Sequence, residues 1–234
     1  GSILVAAAVT GCDGGAAGEA QPAEVGSISN PTQGGNSTPT AQSPSGLTGE
    51  SCVSSDPNKI CLAMHFVSYQ SNGSAPVASA AQAATIVHTM NQLFSQCNIG
   101  FQIEKYEAVD PANFGLDFGS NSQNQLQQIR DAFAQPSNML LGVTTGPWGT
   151  AVNAWTNMPG EGVYGAIMEA SIVDYGSGII YAHEFGHYLG LDHVSDSTNL
   201  MNPVIATNST RLDSGQCQTA RDAATQYWGA MIRK

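Results

Sequence analysis

Along the chain the apolar positions change their spacing in a regular order. Residues 59–70 are rich in Ile, Leu, Met, Phe, Val and Tyr and read as a first strand. A helix follows from about Ala80, where Ala83, Ile86, Met90, Leu93 and Cys97 step by three and four to make one core stripe. Ser79 and Gln82 have the spacing of a capping box at its start. In residues 100–109, Phe101 and Ile103 alternate with Gln102 and Glu104, which predicts a second strand. Residues 121–134 read as a short polar helix carrying Leu126, Ile129 and Phe133, and residues 139–144 as a third strand. After the turn residues Gly146, Pro147 and Gly149, residues 151–155 suit an edge strand and residues 163–171 a fifth strand. The next helix begins near Ser177 or Gly178, with Ala182, Phe185 and Leu189 as its core stripe. The last starts at Asp213 with Gln216 as cap partner, and its stripe is Cys217, Ala220, Ala224, Tyr227 and Met231.

This ordered pattern belongs to residues 51–234, a length that suits one domain. Residues 13–50 are Gly, Ser, Pro, Thr, Ala, Asn and Gln with few large apolar side chains. Such a segment buries too little apolar surface to offset its ordering entropy and reads as a flexible tether or short prosegment. Ahead of it, Ile3 to Val9 is apolar and Val9-Thr10-Gly11-Cys12 resembles a bacterial lipobox. The stretch is too short to span a bilayer and has the length of a signal-peptide core. The resemblance implies that residues 1–12 are a signal-peptide remnant, with lipidation at Cys12. The expected location is outside the cytoplasm, as a cell-envelope lipoprotein or as a secreted protein after proteolytic release.

Charge narrows the partners. The net charge is −11 and no basic cluster occurs, so nucleic acid and anionic membrane surfaces are poor partners. A lipid on Cys12 would be the route to a membrane, and a monomer is expected. Cys12 aside, four cysteines allow three pairings, and an oxidising compartment favours disulfides over free thiols. Cys52 and Cys61 bracket the turn Asp56-Pro57-Asn58 and form a natural local pair. Cys97 and Cys217 lie on the core stripes of two helices and would then form a long-range bridge.

The densest chemistry is in His183-Glu184-Phe185-Gly186-His187-Tyr188-Leu189-Gly190-Leu191-Asp192-His193. On a helix His183 and His187 stand one turn apart on one side, as two ligands of one metal ion require. Gly190 can take a left-handed conformation and end the helix, so that His193 approaches the same ion from another direction. Three neutral imidazoles leave one position of a tetrahedral zinc open, the catalytic arrangement. Glu184, beside the first ligand, is placed to act as general base and acid. His65 and His88 fall outside this cluster and read as ordinary packed or surface residues.

This segment resembles the zinc motif of the metzincin metallopeptidases, and Asn199-Leu200-Met201-Asn202-Pro203 resembles their Met-turn. The short gap from His193 to Met201 and the Met-x-Pro form look most like matrixins, although Val194 stands where matrixins carry Ser. The order of elements is also compatible with pappalysins. The resemblance implies an α+β fold: a five-stranded mixed sheet, two long helices against it and a small C-terminal subdomain ending in a helix. The division would fall into residues 51–193 and 194–234. It further implies zinc held by His183, His187 and His193, Met201 beneath the site, and calcium as a second candidate ion. The implied function is a zinc endopeptidase acting on protein or peptide substrates, the alternative being a catalytically weak or inactive zinc-binding surface lipoprotein that retains the protease fold. The implied cleft comprises the edge segment with Gly149, Ala151, Val152, Asn153 and Ala154, and the post-turn residues Pro203 and Val204. Trp148 and Trp155 are either pocket walls or packing.

Overall fold

A computed structural model describes residues 46–119, 123–133, 138–149, 154–160, 165–173 and 177–234. Cys12, the 1–12 leader, most of the 13–50 segment and the cleft candidates Ala151, Val152 and Asn153 lie outside the described residues. The described part opens with Gly46–Glu50 laid along the sheet, where the Thr48 amide donates to the Ile103 carbonyl. Glu50 is engaged by His88 and Asn91 of the first helix.

Strand β1 (Ile60–Tyr69) is buried along its whole length and pairs in parallel with β2 (Ile99–Val109) and β3 (Leu140–Thr144). β5 (Ala166–Met168) continues the parallel set, and β4 (Ala154–Thr156) closes it as an antiparallel edge. The order is β2-β1-β3-β5-β4, the expected mixed sheet of five strands. A sixth, β6 (Ile232–Arg233), pairs with Cys61 and Leu62 of β1, ahead of the point where β3 takes over at Met64.

Helices α1 (Ala80–Phe94) and α3 (Ser177–Tyr188) share one face of the sheet. Alternation along β1 sends Leu62, Met64 and Phe66 into the core with them. Val67 and Tyr69 point the other way, into a second core with Leu126, Ile129 and Phe133 of α2 (Gln123–Phe133). The expected capping boxes form: Ser79 with Gln82 on α1, and Asp213 with Gln216 on α4 (Ser214–Gln226). Both expected disulfides are present, with Cα separations of 5.2 Å for Cys52–Cys61 and 4.7 Å for Cys97–Cys217. The second ties the end of α1 to α4.

Three expectations are corrected. The fifth strand is shorter than the apolar run 163–171 suggests, because Ala170–Val173 is a 3₁₀ turn capped by the Glu169 carboxylate, which accepts from Ser171. The last helix ends at Gln226, so Tyr227 is 45% exposed and leaves the stripe. Trp228 takes the buried position and its indole N–H donates to the Tyr188 carbonyl at 2.8 Å. Met231 sits in a 3₁₀ turn, partly buried, rather than on a continuing helix.

Candidate metal centre

The three histidines converge. The Nε2 atoms of His183 and His187 are 3.1 Å apart, and each lies 3.2 Å from Nε2 of His193. The turn after α3 makes this meeting geometrically accessible. Gly190 is left-handed at φ +78°, its N–H donates to the His187 carbonyl, and the Leu191 N–H donates to the Gly186 carbonyl. The same turn aims the Leu191 carbonyl at His187 Nδ1, 2.6 Å away. The Leu200 carbonyl lies 2.7 Å from His183 Nδ1.

A carbonyl oxygen only accepts, so Nδ1 carries the proton on both His183 and His187, leaving Nε2 as a lone pair. Those two lone pairs cannot satisfy each other. Burial holds His183 down to about 4 and His187 well below the ordinary imidazole range, with His193 adding to both; burial also lowers His193. Burial thus favours the neutral form of all three rings, the state a metal requires. A tetrahedral ion with arms of about 2.0–2.1 Å needs ligand nitrogens about 3.3–3.4 Å apart, close to the separations seen. The donor set fits zinc, and it is the one such metal-ligating cluster among the described residues.

Glu184 is fully buried beside this triad. Burial pushes its carboxyl up to about 7, against the lowering effects of the Thr156 hydrogen bond and the Arg130 charge. Its Oε2 accepts from the Thr156 hydroxyl at 2.6 Å, while Oε1 is buried with no hydrogen-bond partner. Met201 is fully buried beneath the helix, where a Cβ on Gly186 would overlap its sulfur. Asparagines shape that turn: Asn199 accepts from the Met201 amide, and Asn202 accepts from Val204 and donates to the Val194 carbonyl.

The remaining site candidates disperse. Gly149 is left-handed and open around its Cα. Pro203 and Val204 are exposed just past the Met-turn. Ala154 is buried in the α1/α3 core and presents no side chain to an open cleft. Trp148 is packing: it is buried in the α2 core and its indole donates to Thr145. Trp155 packs against that same core. His65 is buried and bonded to Glu107, and His88 is exposed and bonded to Glu50, so neither joins the triad.

Sequence reasoning missed Thr156, Gly186 and Arg130. The signal for Thr156 was a hydroxyl two residues from Ala154, hence on the same core-facing side of a strand. For Gly186 it was a glycine inside a helix, which costs about 1 kcal/mol relative to Ala unless packing requires it.

The model of the Matrixin family matches residues 65–221, a span containing the three histidines, Glu184 and Met201. The chain belongs to the matrixin family. No curated protein sequence matches it. Among solved structures, a mutant of promirolysin from Tannerella forsythia aligns with a TM-score of 0.58 at 12% identity, covering 75% of this chain and 84% of that one. Metalloproteinase-II from Bacteroides fragilis aligns with a TM-score of 0.48 at 14% identity, over 69% of this chain and 53% of that one. The first likeness, with the family match, places this matrixin chain in the metzincin fold.

Proposed function

We propose that this matrixin protein is a zinc-dependent endopeptidase in which His183, His187 and His193 hold the metal and Glu184 moves the proton. The observation that carries the reading is the meeting of three imidazole Nε2 atoms beside a buried carboxyl with one unpartnered oxygen. Zinc bound there supplies Lewis-acid polarisation of the scissile carbonyl and activation of water at neutral pH. Glu184 accepts the proton of the attacking water on Oε1 and returns it to the leaving nitrogen.

The outer edge of β4 supports binding of an extended peptide, which would add as a further strand by main-chain hydrogen bonds. Exposed Pro203 and Val204 would form part of the pocket beyond the cleaved bond. The lipobox-like tetrapeptide ending at Cys12 supports export and anchoring, which intact-mass analysis of the native N-terminus would test.

Casein degradation abolished by a chelator and restored by zinc is the expected result. Glu184→Ala should retain one zinc and lose turnover, whereas His187→Ala should lose both. Zinc bound without turnover in the wild type would leave the inactive binding protein as the correct reading, and loss of zinc from Glu184→Ala would overturn the assigned roles.

A further inference from the structure

Thr156 is the last residue of β4, the edge strand, and is paired with Ala166 of β5. Alternation along Ala154-Trp155-Thr156 turns Ala154 into the core around α3 and Trp155 towards α2. Thr156 shares the side of Ala154 and is only 2% exposed. An apolar residue is the ordinary choice at such a place, since a buried hydroxyl is stabilising only when it is bonded. Here the hydroxyl donates to one atom, Oε2 of Glu184, at 2.6 Å. The other carboxylate oxygen, Oε1, is buried and without a partner. One oxygen is thus held and one is left free.

We infer that Thr156 is a positioning residue for the general base, fixing the Glu184 carboxylate by Oε2 so that Oε1 alone exchanges the proton. The inference rests on the peptidase reading above. A hydroxyl that donates to Oε2 makes that oxygen the less basic of the two, so a proton taken from water goes to the unpartnered Oε1 and leaves from it. The anchor lies on the strand whose free edge would receive a peptide, so one short element both seats the substrate and aims the base. The Thr156 hydroxyl is bonded to Glu184, and through that carboxyl it would reach the reaction.

The test compares Thr156→Val, which keeps the shape and removes the donor, with Thr156→Ser, which keeps the donor. Thr156→Val should lower kcat about 10- to 100-fold, the usual loss when a hydrogen bond to a charged functional group is removed, with KM changed less than about twofold. Zinc content should stay at one per chain, and Thr156→Ser should recover kcat to within about threefold of wild type, since the donor is restored. In zinc-free, ¹³C-glutamate-labelled protein, the Glu184 carboxyl resonance, identified by its absence in Glu184→Ala, should move in Thr156→Val and stay in Thr156→Ser. If Thr156→Val does not fold, Thr156→Ala carries the same comparison. An unchanged kcat, or a rise in KM alone, overturns the inference while leaving an active peptidase. A wild type without chelator-sensitive proteolysis overturns the peptidase reading itself and this inference with it.

Discussion

The two halves of the sheet are built differently. The β1/β2 half consists of strands of ten and eleven residues, with β1 buried throughout and α1 laid across it. Both disulfides fall in this half, one at the start of β1 and one just past α1. The β4/β5 half has strands of three residues each. Polar side-chain bonds knit it together: Thr156 to Glu184, Trp148 to Thr145, and Ser171 to Glu169. The long half supplies most of the apolar burial, together with side-chain bonds of its own such as Asn91 to the Phe101 backbone and Arg233 to Glu104. The short half buries its few residues in the same two cores, and one of its directed bonds bears on the Glu184 carboxyl. The greater length of buried strand thus lies in one half of the sheet, and the contact to the Glu184 carboxyl in the other.

Substitutions in each half test this division. Phe66 lies in β1, fully buried and stacked between Tyr106 and Tyr181. Phe66→Ala should cost about 3–5 kcal/mol in denaturant unfolding. Zinc affinity of the remaining folded protein should stay unchanged, and a fall in affinity would show that the halves are not separable. Gly186→Ala should do the reverse. Its methyl group would push on Met201, next to the Leu200 carbonyl that holds His183, so zinc affinity should drop about 10- to 100-fold. Overpacking should cost only about 1–3 kcal/mol of stability. The smallest effect concerns His65, whose burial keeps it below the ordinary imidazole range despite the Glu107 contact. A lowered folded-state value means that the stability it contributes is present above the unfolded value near 6.5 and is lost as pH falls through the folded value. His65→Gln should flatten that decline by less than one proton, under about 1.4 kcal/mol per pH unit, in unfolding measured from pH 7 downwards.

What the chain reveals before folding follows the same line. The capping residues Ser79 and Asp213, the stripes of α1 and α2 and the spacing of His183, His187 and His193 were legible because each is a local periodicity. The Cys97–Cys217 bridge was legible because both cysteines continue the apolar stepping of their helices, although Cys97 itself sits in the 3₁₀ turn just past α1. Thr156 and Glu184 are twenty-eight residues apart, and their bond depends on which strand flanks α3, which no local pattern encodes. Gly186 under Met201 depends on a turn returning beneath the helix. Tyr227 and Trp228 are neighbours, and only the exact end of α4 decides which is buried. A one-residue shift in a helix end lies below what apolar spacing resolves.

The carbonyls that orient two of the ligands belong to Leu191 and Leu200, both beyond the helix that carries those ligands. As a chain grows from its N-terminus, the His-Glu-x-x-His helix is therefore made before the groups that set its tautomers. A nascent chain cut at Val194 would hold all three histidines and Glu184, yet His183 would lack the acceptor that turns Nε2 towards the metal. The acceptor that orients His183 is thereby supplied only when the segment through Leu200 has been synthesised and has closed under the helix. Until then the growing polypeptide carries three histidines whose meeting point has not yet been fixed.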